Sequence, residues 1–111
     1  MYKLAELLAM VHGLTEERMA AWIARGFVVP EEVHGERLFA DIDVARVRLI
    51  CELEDEMALD PDAVGLLLSL LDQVYTLRSQ LRFMTDALAG QPAEVREAIL
   101  MALGRNGDKG G

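Results

Sequence analysis

The strongest constraint on this chain is a stripe of apolar residues that has to be covered. Leu67, Leu70, Val74, Leu77, Leu81, Met84 and Leu88 recur at alternating intervals of three and four. That spacing sets all seven on one side of a helix, as the a and d positions of a coiled coil. The helix has a clear start, because Asp60 is a good N-cap and Pro61 suits the first helical position. Gly90-Gln91-Pro92 gives it a clear stop. From Pro61 to Ala89 it would run roughly 43 Å at 1.5 Å per residue. A second stripe, Val64, Leu68, Leu71 and Tyr75, fills only the first half. The first half is therefore expected to pack on its own domain and on a partner, and the second half on a partner alone. The remaining helices are too few to cover both stripes, so the expected assembly is a homodimer with the seven seam residues at its interface. Each fully buried Leu contributes about 1.5–3 kcal/mol, enough in sum to make such a dimer obligate.

Upstream, the periodicity predicts two short helices. Leu4, Leu7, Leu8 and Val11 form one stripe over Lys3 to Val11, and His12-Gly13 ends it. Thr15 caps a second helix, with Glu16 and Glu17 in its positive first turn. Met19, Trp22 and Ile23 point inward, and Gly26 closes the helix. Phe27-Val28-Val29 reads as a first strand, Glu31 to Arg37 as a polar hairpin tip containing Gly35, and Leu38-Phe39 as the returning strand. Asp41 or Asp43 caps a third helix reaching about Met57, with Val44, Val47, Ile50, Cys51, Leu53 and Met57 on its apolar face. Helix, turn, helix and hairpin make a winged helix-turn-helix. The fold class is mainly α, with a long C-terminal dimerisation helix. The expected divisions are a winged domain at 1–57, the long helix at 58–89, a short amphipathic helix at 90–103 carrying Val95, Ile99 and Ala102, and a disordered glycine-rich tail at 104–111.

The second helix has the shape of a DNA reader without the charge. Its outward positions are Glu17, Ala20, Ala21 and Ala24. The chain of 111 residues has a formal charge of −8, with −2 in residues 1–49 and −6 in residues 50–111. Neither part supplies the positive field that attracts phosphate backbones, whereas a basic protein would be drawn in.

Chemistry-bearing constellations are absent from the sequence. His12 and His34 fall in a turn and a hairpin tip, and the lone Cys51 lies on an apolar face. No nucleophile is set beside a base, no metal-ligand spacing occurs, and no phosphate-binding glycine loop is present. Glu52, Glu54, Asp55 and Glu56 read as a solvated face. The expectation is a protein without catalysis, cofactor or metal. With one cysteine, no signal-like N-terminus and no apolar run long enough to span a bilayer, the expected setting is the cytoplasm, away from membranes.

The order and spacing from Leu4 to Leu53, followed by the long helix, resemble the MerR-type winged-helix family. Its DNA-binding members usually carry Arg-Tyr-Tyr in the second helix and a Gly-Tyr-Arg-like wing. Here Ala20 and Ala21 stand at the Arg and first Tyr, Trp22 stands at the second Tyr, and Gly35-Glu36-Arg37 has Glu in place of Tyr. Met57-Ala58-Leu59-Asp60, Val64 through Asp72, Leu77, Gly13 through Glu17, and Arg25 through Glu31 are more similar to the chaperone-modulatory CbpM family. The likeness covers roughly residues 3–84, in short blocks. It implies an inhibitor that binds the J-domain of an Hsp40-type co-chaperone, curved-DNA-binding protein A (CbpA), and keeps it from stimulating Hsp70. J-domains use a basic helix for Hsp70, so an acidic competitor is electrostatically apt.

On that reading, the small residues Ala20, Ala21 and Ala24 admit another helix closely. Glu16, Glu17, Glu31, Glu32 and Glu36 ring the contact with negative charge. The alternative is a MerR-family DNA-binding transcriptional regulator using Arg18, Arg25 and Arg37; the net negative charge argues that DNA binding is absent or weak.

Overall fold

The computed structural model describes the backbone of residues 1–110 and the side chains of residues 1–105. Helices α1 (Leu4–Met10) and α2 (Glu16–Ala24) come first, then strands β1 (Glu31–Val33) and β2 (Glu36–Leu38). Helix α3 (Asp41–Cys51) runs into a π-helical turn at Glu52–Glu56, and α4 (Pro61–Ala89) and α5 (Ala93–Gly110) follow. The chain forms two units, Met1–Leu70 and Leu71–Gly111.

In the first unit, local capping sets each element. The Thr15 hydroxyl accepts the Arg18 N–H at 3.1 Å and opens α2. At its other end, the Gly26 N–H donates to the Ile23 carbonyl and the Phe27 N–H to the Trp22 carbonyl. This closing pattern needs a left-handed residue, and Gly26 supplies it at φ 76°. The Asp43 carboxylate accepts the Ala40 N–H at 2.8 Å and holds the start of α3. Asp60 caps α4 as its sequence predicts, accepting the Ala63 N–H at 2.8 Å.

The wing departs from the expected register. Its strands are Glu31–Val33 and Glu36–Leu38, joined by the two-residue turn His34-Gly35. Both turn residues have positive φ, at 52° and 77°, as a tight hairpin turn with the twist of the strands requires. So short a loop pairs the residues directly beside it, Val33 with Glu36, and leaves Phe27-Val28-Val29 outside the sheet. Phe27 and Val28 are buried in the core instead. Phe39, fully buried, exchanges two 2.7 Å backbone hydrogen bonds with Tyr2 rather than with the expected first strand.

The third helix also ends differently. An α-helix stops at Cys51, and the wider turn over Glu52–Glu56 closes with the Met57 N–H on the Glu52 carbonyl. Met57, expected on the apolar face, is exposed beyond that turn. Leu7, Met19, Trp22, Phe39, Val47, Ile50, Val64 and Leu68 form the centre of the core, to which α1, α2, α3 and the start of α4 all contribute. Gly65 permits close approach there, since a Cβ on it would lie 3.1 Å from the Phe27 ring.

In the second unit, none of the described side chains at 71–105 is buried. Of the second stripe on α4, Val64 and Leu68 belong to the first unit's core, while Leu71 and Tyr75 are exposed. Helix α5 runs to Gly110, so residues 104–110 are helical where a disordered tail is expected from sequence. Glycine costs about 1 kcal/mol against alanine in a helix but keeps its N–H, and no proline follows Pro92 to stop the ladder. Gly111, the last residue of that expected tail, lies outside the described residues.

Candidate docking face of the winged helix

Helix α2 divides cleanly. Met19 and Trp22 are buried and Ile23 is partly buried, while Glu17, Ala20, Ala21 and Ala24 are exposed. All eight residues singled out for partner binding lie at the surface: Glu16, Glu17, Ala20, Ala21, Ala24, Glu31, Glu32 and Glu36. Glu16 and Glu17 occupy the first turn of α2, where backbone N–H groups favour negative charge. Glu31, Glu32 and Glu36 lie on the two strands of the wing. Two of these acids have basic neighbours. Glu36 lies 3.5 Å from the Lys3 ammonium, and Glu32 lies 3.9 Å from Arg37, its cross-strand partner. Both pairs are well exposed, so they constrain the carboxylates little.

The three arginines that a DNA-binding reading would use are all engaged within the chain. Arg18 is the most firmly held. Its guanidinium donates to both oxygens of Asp55 at 3.0 and 3.1 Å, to Glu54 at 3.0 Å and to the Gly13 carbonyl at 2.9 Å. It also sits 5.0 Å over the Trp22 ring, and the Trp22 indole N–H donates to the other Glu54 oxygen at 3.3 Å. The hydrogen bond that Arg18 donates to Asp55 raises its pKa above its already high value, against the opposing effect of partial burial. Arg25 reaches Asp62 at 3.0 Å and lies over the Phe27 ring. Arg37 faces Glu32.

This clamp corrects the expectation that Glu52–Glu56 is simply a solvated face. Glu52 and Glu56 are exposed, but Glu54 is half-buried and, with Asp55, closes on Arg18. Sequence reasoning missed it because it assumed 3.6 residues per turn throughout. The wider turn changes the phase, and two consecutive acids meet one guanidinium. The available signal was the spacing of Arg18 and Trp22, four apart on one helix, which marks a stacked pair.

Cys51 is buried, and that burial raises its thiol pKa against the opposing charge of Arg18. Among the described residues, no group of three or more His, Cys, Asp or Glu is arranged to hold a metal. No described helix is long and apolar enough to cross a membrane.

Two helices joined by a tight turn, a glycine-capped second helix and a β-ribbon beside it define a winged helix-turn-helix protein. Residues 3–85 match the family described as MerR HTH family regulatory protein, and the chain belongs to that family. Comparison with curated proteins gives no match, and neither does comparison with solved structures.

Proposed function

We propose that this protein is a non-catalytic chaperone modulator, whose winged helix binds the basic surface of an Hsp40-type J-domain of the CbpA kind and limits its stimulation of Hsp70. The observation that carries the reading is the outward face of α2. It offers Glu17 and three exposed alanines, while Arg18, the best placed of the arginines to meet a phosphate, is bonded to Glu54 and Asp55 of the same chain. A phosphate backbone would have to compete with Glu54 and Asp55 for Arg18. A basic helix instead meets small side chains it can approach closely, flanked by Glu16, Glu17, Glu31, Glu32 and Glu36.

The protein acts as a homodimer in the cytoplasm. Its interface is the α4 seam of Leu67, Leu70, Val74, Leu77, Leu81, Met84 and Leu88, in which every residue except the half-buried Leu88 is exposed in a single chain. An apolar stripe of that length left in water favours association.

Titration of an isolated J-domain with the full-length protein tests the reading at low and at physiological salt. Binding should weaken with salt, and reversing Glu17 and Glu32 to Lys together should weaken it on the order of tenfold or more. Undiminished binding of that variant at low salt would remove this face from the interface. Membership of a regulatory helix-turn-helix family favours a second reading, a DNA-binding transcriptional regulator. Salt-sensitive binding of duplex DNA at micromolar protein, with no J-domain binding, would establish it instead.

A further inference from the structure

Tyr75 and Phe83 stand apart from the chain's other aromatic residues. Trp22, Phe27 and Phe39 are buried, and Tyr2 packs against the same core. Tyr75 and Phe83 are instead 69% and 75% exposed on α4. With Thr76, Ser79, Gln80 and Met84 they line an open, mainly apolar groove of about 560 Å³. A second row, Arg78 and Arg82, runs beside the row of Tyr75, Ser79 and Phe83, and both arginines are exposed. Among the described residues, neither of these two arginines takes part in an ion pair. Arg18, Arg25 and Arg37, by contrast, lie beside carboxylates of the chain. Like charges one turn apart repel, so the pair favours a counter-charge supplied from outside.

We infer that this face of α4 binds an acidic amphipathic helix of another protein, with a carboxylate on each arginine and an aliphatic side chain seated between the two aromatic rings. Charge distribution selects that occupant. Residues 1–70 hold six basic and fourteen acidic groups, and so the whole formal charge of −8, whereas residues 71–111 hold five of each. An acidic segment is repelled by the first unit and meets no net repulsion from the second, where two unpaired guanidiniums attract it. Spacing agrees, because Arg78 and Arg82 match two acids four apart on a helix laid along α4. Side-chain type agrees as well. Arginine grips a carboxylate through two parallel hydrogen bonds, and tyrosine and arginine are the residues that most often carry binding energy at protein interfaces.

The face is accessible whether or not the chain dimerises through the seam. At 3.6 residues per turn, Tyr75, Ser79 and Phe83 lie roughly 130–170° round the helix from the middle of that seam. A nucleic-acid strand suits the face less well, since it needs a longer cationic track than two arginines and has no aliphatic group for the groove.

The test is fluorescence anisotropy of a labelled synthetic helix of about 14 residues, with two glutamates one turn apart beside a row of leucines, titrated with the full-length protein. The peptide should bind, and more weakly as salt rises. Replacing its glutamates with glutamine should raise the Kd about tenfold or more, a comparison that leaves the protein unaltered. Arg78→Glu with Arg82→Glu should weaken the glutamate peptide on the order of tenfold or more, and Arg78→Lys with Arg82→Lys should lose less. Tyr75→Ala with Phe83→Ala should weaken both peptides, with the far-UV circular dichroism of every variant unchanged. Wild-type protein that shows no saturable binding below a Kd of about 1 mM would overturn the inference. So would equal affinity for the glutamate and glutamine peptides. Tighter binding of a labelled oligothymidylate than of the peptide would overturn it in favour of a nucleic-acid strand.

Discussion

The first unit closes around its apolar residues, and the second presents them outward. Residues 1–70 bury Phe39, Leu7, Val47, Ile50 and Val64 completely, and the charged Arg18 is drawn into the structure as a tie between elements. Residues 71–105 are nearly as rich in large apolar side chains, yet Val74, Leu77, Leu81, Phe83, Met84 and Leu100 are all exposed. Composition therefore distinguishes the two poorly. The difference lies in topology: short helices and tight caps bring four elements onto one centre, whereas the described side chains from residue 71 onward on α4 and α5 leave their apolar stripes exposed in the single chain.

The comparison can be broken most forcefully at the seam. Leu77→Glu with Leu81→Glu places two unpaired carboxylates per chain at the proposed interface, and the dimer should dissociate entirely in sedimentation equilibrium while the first unit keeps its fold. In the first unit, Phe39→Ala should lower stability by about 3–5 kcal/mol, read by denaturant unfolding, because its cavity lies at the centre of a closed core. Arg18→Ala should cost about 1–2 kcal/mol, since it leaves the half-buried Glu54 with only the Trp22 indole as a hydrogen-bond partner. Gly65→Ala should change stability by less than about 1 kcal/mol, because the helix propensity gained offsets the pressure of the new methyl on the Phe27 ring.

The smallest effect expected is that of Cys51 on the alkaline limb. Burial raises its pKa in the folded protein, so the unfolded chain loses the proton first. Stability from this group is complete below the unfolded thiol's pKa of about 8.5 and falls as pH rises above it. Urea midpoints at pH 7 and pH 10 should show the decline in wild-type protein and a shallower one in Cys51→Ala.

How much of this was legible in the sequence depended on whether a local signal was unambiguous. Asp60-Pro61 and Gly90-Gln91-Pro92 delimit α4, and Thr15 and Gly26 delimit α2, because caps act through neighbouring backbone atoms. Phe27-Val28-Val29 misled because β-propensity and core burial favour the same residues. Phe27 uses its N–H to close α2, and Phe39 takes Tyr2 as its partner. The π-helical turn left no sequence mark, so the Arg18 clamp appeared only in three dimensions. The glycine-rich, polar composition of the C-terminal end reads as disorder, yet α5 continues to Gly110, because glycine lowers helix propensity without removing the N–H. The outward face of α2 was legible in full, since a single helical period decides it.

The clamp has a spectroscopic consequence. Trp22 is the chain's one tryptophan, and it is buried beneath the Arg18 guanidinium with its indole N–H on Glu54. Intrinsic fluorescence at tryptophan wavelengths therefore arises from the inner side of α2 alone. Any ligand that strains that helix, and any variant that loosens Glu54 or Asp55, alters the emission without a label. The molecule carries its own optical gauge directly beneath the face proposed to bind.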